Sequence, residues 1–364
     1  VKGAHNIKLG GTYQQTLLDE NDNLGIVDNG LLPSLADGNG NPCFANGVAL
    51  NSPCSDLLPF DLTRGGNLFA FRGHTDVKQL ALYVQDQITK GNWSLNVGLR
   101  GDFYNGLTTH KEPEPRVGVA YNIKRTNTVL RASYARVLET PFNENLIVAS
   151  EGCDSPVLNS LLGCASSLST PLSPGWRNEF HVGLQQAVGK YLVFSGEYIW
   201  KYTHNAYDFS ILGNTPIFFP IAWDRSKIPG FAGRVSVPNL HGFSALMVFS
   251  TVSARFFLPQ VSGAGATPSA PSGVFRIDHD ERFNQTTHLQ YQPWQRGPWF
   301  GLNWRYDSGL VAGAVPFAAS PSTPVDLTIL TGDQQMQAGL FCGNVFPTLT
   351  SPLTSCTPSQ FGST

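Results

Sequence analysis

The chain has 364 residues, enough for two or three ordinary domains or one large β architecture, and a formal net charge of −2. Charged residues make up 14% and aromatic residues 11%, with 37 glycines, where a typical soluble protein is about 25% charged. The near-neutral balance excludes an electrostatic nucleic-acid binder, and no window approaches the ~18 uninterrupted apolar residues of a membrane helix.

The first strand is expected over His5–Leu18, where Ile7, Leu9, Gly11 and Tyr13 alternate with Lys8, Gly10, Thr12 and Gln14. A long loop carrying Asn/Gly turns follows over 19–66, and its polar start, Asp19-Glu20-Asn21-Asp22-Asn23, reads as solvated. The chain resumes through Phe69, Phe71 and Leu80–Gln87, turns at Lys90-Gly91, and continues over Asn92–Tyr104. In that second arm Trp93, Leu95, Val97, Leu99 and Phe103 hold one parity, and Ser94, Asn96, Gly98, Arg100 and Asp102 the other. Successive side chains of a strand point to opposite faces, so one face is apolar and the other polar, small or charged.

The same alternation recurs in Pro115–Ile123, Thr128–Leu138, Arg177–Val188 and Tyr191–His204. It weakens over Trp223–Val237 and Gly242–Phe257, then returns in Arg282–Tyr291 and Trp299–Leu310. Eleven strands result. Their connections alternate in length: 19–66, 105–114, 139–176, 205–222, 258–281 and 311 onward are moderate or long, while 90–91, 124–127, 189–190, 238–241 and 293–298 are short. Long and short connections at opposite ends of an up-and-down meander mark an all-β, antiparallel transmembrane barrel, with turns periplasmic and loops extracellular. Trp93, Tyr191, Trp294 and Trp299 cluster at the short turns, as an interfacial girdle does. The chain starts close to a strand and ends in a polar stretch, so it reads as the middle of a longer protein. The six cysteines fall in local pairs, Cys43 with Cys54, Cys153 with Cys164, and Cys342 with Cys356, all in the long-loop segments. No CxxC spacing or His cluster accompanies them, so disulfides in an oxidising compartment are expected rather than zinc, with nearest-neighbour pairing the favoured one of fifteen connectivities.

The segments LALYVQDQI, WSLNVGLRGDFY, EPRVGVAYNI and TVLRASYARVLETPFNENL, with the later RIDHDERFNQTTHLQYQ and WRYDSGL, resemble the barrel of TonB-dependent outer-membrane receptors. The resemblance is to those carrying a carboxypeptidase-regulatory-like domain before the plug. It implies a 22-stranded barrel closed by an N-terminal plug, driven by the TonB complex, in the bacterial outer membrane. Residues 1–364 would then be part of that barrel domain, about 11 strands, with the plug and C-terminal strands outside it. The implied partners are outer-membrane lipid, the TonB complex through the plug, and an extracellular bulky nutrient such as a siderophore, oligosaccharide or peptide.

Under this reading the polar parity lines the lumen, giving Arg100, Asp102, Arg116, Arg131, Glu179, Glu197 and Lys201 as the candidate functional residues; an Arg or Lys facing lipid at midplane costs about 2–4 kcal/mol. Asp278-His279-Asp280-Glu281 is the densest set of ligand-type side chains, but alternation splits it between two faces. No catalytic motif, cofactor motif or metal-ligand spacing is present; Gly263-Ala264-Gly265 lacks the following Lys-Ser/Thr of a phosphate loop. Two competing readings remain: a surface-exposed adhesive β-barrel without transport, and a secreted carbohydrate-binding β-sandwich using Trp200 and Trp223.

Overall fold

Period-two alternation builds one large antiparallel sheet. The computed structural model describes residues 3–27, 44–45, 48–49, 57–162, 164, 169–212, 215–266, 268, 273–277, 279–310, 324–328, 330–337 and 340–363. Thirteen strands join the sheet: β1 (His5–Leu24), β2 (Phe69–Lys90), β3 (Trp93–Asn105), β4 (Thr109–Ile123), β5 (Thr128–Glu139), β6 (Gly175–Val188), β7 (Leu192–Ile211), β8 (Phe218–Leu240), β9 (Phe243–Val252), β10 (Arg255–Ser262), β11 (Gly273–Arg276), β12 (Phe283–Tyr291) and β13 (Phe300–Asp307). Eleven of them form an up-and-down meander in chain order from β1 through β9 to β12 and β13, the count the alternation predicts. The sheet does not close: β1 and β13 each have a single neighbour. It is an incomplete barrel.

The differences from the sequence reading lie mostly above the lipid belt. β1 runs on to Leu24, and β3 and β4 stay paired up to Asn105↔Thr109, so the expected 105–114 connection is a tight hairpin. The 205–222 connection likewise shrinks, because β7 and β8 pair up to Ile211↔Phe218. The expected strand Gly242–Phe257 breaks after Val252; residues from Arg255 fold back onto β8 as β10 and carry β11 with them.

Register fixes the two faces. One row runs Leu9, Val84, Leu99 across β1–β3, and these side chains are 79%, 52% and 53% exposed. A second runs Val97, Val117, Tyr134, Phe180, Trp200, Pro229 across β3–β8. An apolar face this continuous and this uncovered needs a nonpolar solvent. Trp93 and Phe103 lie ten residues apart on this face of β3. At ~3.3 Å per residue and a tilt of about 45° they stand roughly 24 Å apart along the barrel axis, close to the ~25 Å apolar band of an outer-membrane barrel.

Trp93, Tyr191, Trp294 and Trp299 are all exposed beside the short turns. Four short turns use left-handed backbone, at Gly91, Asn127, Gly189 and Gly242, with φ of 61°, 55°, 55° and 85°; those at 91–92 and 241–242 are two-residue hairpin turns, which require it.

After β13, residues 324–363 make a separate small unit with two two-stranded ladders and the Cys342–Cys356 disulfide. Its core is Val325, Leu327 and Leu340, with Gln335 fully buried and donating to Leu327 O, Leu330 O and Leu353 O. Of the three expected cysteine pairs, Cys153 with Cys164 and Cys342 with Cys356 are disulfide-bonded. Cys43 and Cys54 both lie outside the described residues, so the bond expected between Cys43 and Cys54 has no counterpart among the described disulfides.

Candidate functional site

The charged residues of the polar parity gather on one face, and they are paired. Arg100 forks onto Asp102 through Nε and Nη2 at 2.6 and 2.7 Å, the planar bidentate geometry that suits guanidinium to carboxylate. Its Nε also lies 3.6 Å from Glu114, which Arg116 meets at 2.8 Å. Glu112, opposite Asp102, contacts His110 at 3.0 Å and Arg136 at 2.5 Å. A second cluster spans β5–β7: Arg177 pairs with Glu139 and Glu179, Lys201 lies 3.6 Å from Glu179, and His181 reaches Glu197 at 2.5 Å.

All seven residues expected in the lumen share this face by register; five of them join ion pairs with Arg, Lys, Asp or Glu, and Glu197 hydrogen-bonds His181. Arg131 differs: among the described residues its polar contact is a 3.3 Å hydrogen bond to Gln185. It lines a shallow polar cleft with Asn96, Ser133, His181 and Glu197, floored by Gly118 and Gly183.

Glu112 and Glu114, 5% and 2% exposed, escaped the sequence reading. They lie in THKEPEPR, whose two prolines argue against a central strand. The β4–β5 ladder ends at Arg116↔Ala135, so Pro115 and Pro113 face only β3. The alternating Glu112, Glu114 and Arg116 were the available signal.

Above the charges the same face turns apolar, and a loop packs on it. Residues 140–174 carry α1 (Leu146–Glu151) and α2 (Pro156–Leu162), clipped by the Cys153–Cys164 disulfide. Leu146, Val148, Ala149 and Leu158 bury against Val77 and Tyr104 on one side and Phe219, Ile221 and Ala222 of β8 on the other. α1 thus bridges β2 and β8 across the mouth of the curled sheet. Gly73 of β2 makes room for it: a Cβ there would sit 2.5 Å from Ile147 Cγ2.

Glu20 holds the start of α1. Its carboxylate accepts from the N–H groups of Ile147 and Val148 at 2.7 and 2.8 Å, donors that a helix start leaves unsatisfied. Burial raises its pKa, offset in part by those two bonds. Asp19–Asn23 is therefore strand rather than the expected solvated loop, with Glu20 turned inward.

Other sequence candidates resolve into structural contacts. Asp280 binds Arg276 at 2.7 Å and Glu281 accepts from Asn284 at 3.4 Å, while Asp278 lies outside the described residues. Trp200 sits on the outward face, and Trp223 is held by Asp208 and Phe275. They form no shared sugar platform.

With that geometry in place, residues 6–161 match the family model described as TonB dependent receptor-like, beta-barrel. The match takes in β1–β5, α1 and most of α2. Residues 6–161 are a TonB-dependent receptor barrel segment. Such barrels sit in the bacterial outer membrane, and outward apolar side chains continue beyond the matched residues, with Val182, Tyr198, Leu302 and Trp304 exposed.

Among curated proteins the chain is similar to uncharacterized protein YddB of Escherichia coli K12, with 26% identity over 140 residues, 37% of this chain and 17% of that protein. Among solved structures it resembles the FrpB iron transporter of Neisseria meningitidis, F5-1 variant, at TM-score 0.52 and 13% identity, over 85% of this chain and 42% of that one. The copper transporter OprC gives TM-score 0.51 and 11% identity, over 83% and 40%. The chain thus spans less than half the length of each of these three proteins. At these identities the structural likenesses show the receptor-barrel fold.

Proposed function

We propose that the chain is the barrel portion of an outer-membrane receptor that imports a scarce, bulky nutrient under TonB force. The observation that carries this reading is the division of one sheet into a lipid-facing apolar surface and an inner face of paired charge, with a stapled loop across its outer mouth. A barrel that served only as a surface anchor needs the first but gains nothing from the rest.

In this reading the plug and the remaining strands come from sequence outside the chain, and the TonB contact belongs to the plug. The Arg131–Glu197 cleft and the ion-paired stripe form the wall that faces the plug and the passing ligand. Ligands of the siderophore, oligosaccharide or peptide class all suit a charged lumen; the names of the FrpB and OprC neighbours add iron and copper to the nutrients to be tried.

Growth of a deletion strain on single scarce nutrients tests the proposal. Loss of the gene should abolish use of one such nutrient, and loss of TonB should give the same defect with no additive effect in the double mutant. A deletion that impairs only surface attachment, with TonB irrelevant to it, rejects transport in favour of adhesion.

A further inference from the structure

The outward face carries cations where a lipid-facing surface should carry almost none. Lys227 of β8 and Arg255 of β10 are register partners, and Lys227 also stands opposite Tyr202 of β7. Both cations are exposed. Neighbouring cations are neutralised, Arg225 by Asp224 at 2.8 Å and Arg276 by Asp280. Lys227 and Arg255 have no ion pair among the described residues. Lys227 Nζ lies 5.5 Å from the Phe257 ring centroid, beside the ion-paired Arg225 at 5.6 Å, and Lys227 and Arg255 line a cleft with Trp200, Lys201, Tyr202 and Pro229.

The depth of this cleft matters. Val237, near the short turn, lies ten residues below Lys227 on β8, which places Lys227 roughly 24 Å up the barrel axis at a tilt of about 45°. Val237 is itself three residues from the strand's turn end at Leu240, so Lys227 stands at or above the upper limit of the apolar band, on the long-loop side. Trp200 and Pro229 lie just inside it and form an apolar wall below the charges.

The arrangement recurs on the other flank. Lys78 of β2 and Lys111 of β4 stand over Tyr13, Leu80 and Phe103 in a second outward cleft. Lys111 has no ion pair among the described residues, and Lys78 keeps only a 3.7 Å approach to Asp76. A lone snorkelling lysine can reach the interface by itself. Here two cations from different strands line one cleft with aromatic side chains, and the same combination occurs on both flanks.

We propose that these clefts dock the phosphate-bearing headgroup of a membrane amphiphile in the outer leaflet, with its acyl chains along the shelf. Charge and depth together select the occupant. A phosphate offers oxygen acceptors to both cations, and only a molecule with chains fills the wall below. This site is separate from the inner face, so it holds or fails independently of the transport reading.

The test uses the protein as its gene encodes it, reconstituted in vesicles of phosphatidylcholine. Trp200 is the built-in probe: its share of the fluorescence is the difference between the native protein and Trp200→Phe. Bromine on the acyl chains quenches it on contact. Brominated phosphatidylglycerol should occupy the Trp200 cleft about thirty-fold more readily than brominated phosphatidylcholine, from two cations near a charged surface. Lys227→Gln should lower that preference about five-fold, and Lys227→Gln with Arg255→Gln should bring it to parity. Lys78→Gln with Lys111→Gln should leave Trp200 unaffected.

Folding is read for each variant from the heat-dependent gel mobility of barrels, and the single Lys227→Gln carries the test if the double variant does not assemble. Equal quenching by the two lipids in the native protein would overturn the proposal, as would a preference that survives both neutralisations. Displacement of the brominated lipid by inorganic phosphate at equal headgroup concentration would also overturn it, by showing a free-anion site.

Discussion

Val97 and Asn96 are neighbours in sequence and live in different solvents. Val97, 41% exposed, belongs to the outward row between the Trp93 and Phe103 levels, near the middle of the band. Asn96 points inward, where it accepts a 2.7 Å hydrogen bond from Gln85. Arg at Val97 must enter hydrocarbon, at a cost of about 2–4 kcal/mol, while Arg at Asn96 joins a wet, charged wall. Val97→Arg should therefore deplete the heat-modifiable, assembled band in outer membranes, and Asn96→Arg should leave it near the native amount. Equal assembly of the two variants would invert the face assignment. At this scale the sequence was most informative where lipid acts: Leu95, Val97 and Leu99 were legible because hydrocarbon leaves so few alternatives. Glu20, Glu112 and Glu114 were not, because above the belt the period no longer separates greasy from polar. Glu20 depends on the N–H groups of Ile147 and Val148 from a distant loop, which no local pattern announces, whereas Glu112 and Glu114 pair with His110 and Arg116 on their own strand, a local alternation masked by the two prolines.

The hairpins at Lys90-Gly91, Asn127 and Gly189 could be read directly, since turn chemistry and alternation agree there. β10 could not. Its departure from β9 after Val252 follows from pairing with β8 at Lys227↔Arg255, a contact far apart in sequence. α1 was hidden for the same reason: LIVAS is too short to show a helical period and gains its burial only from β2 and β8. A helix of six residues is too short to be stable alone in water, so the loop depends on its disulfide and on Glu20. Cys153 and Cys164 close a loop of eleven-residue separation. In the chain-entropy account that closure contributes about 3 kcal/mol, and all of it falls on this loop rather than on the sheet. Cys153→Ser with Cys164→Ser should make residues 140–174 susceptible to external protease in intact cells. The barrel band after gentle solubilisation should persist. Loss of the barrel together with the loop would mean that α1 is part of the structural core rather than a cover docked on it.

At the scale of the whole molecule the governing fact is the open sheet. β1 exposes a free edge of twenty residues and β13 one of eight. Unpaired N–H and C=O groups cost several kcal/mol each in hydrocarbon, which is why membrane-spanning sheets close. The apolar outward rows extend to both edges, with Leu9 on β1 and Leu302 and Trp304 on β13 still 79%, 59% and 54% exposed. Both edge strands are therefore solvated by lipid on one face while lacking hydrogen-bond partners in the plane of the sheet. The proposed reading satisfies both edges by pairing further barrel strands with β1 and β13. Expressed as residues 1–364 alone, the chain should give no heat-modifiable monomer and should collect in periplasmic aggregates through those edges. Under the transport reading proposed above, supplying the remaining barrel strands should restore the compact band. Single cysteines at Tyr13 on β1 and Trp304 on β13 supply the local measurement: in the assembled protein each should cross-link to an added strand rather than to its equivalent in a second copy. A stable, compact monomer of residues 1–364 in the membrane would require β1 and β13 to meet, and would make this an eleven-stranded barrel complete in itself.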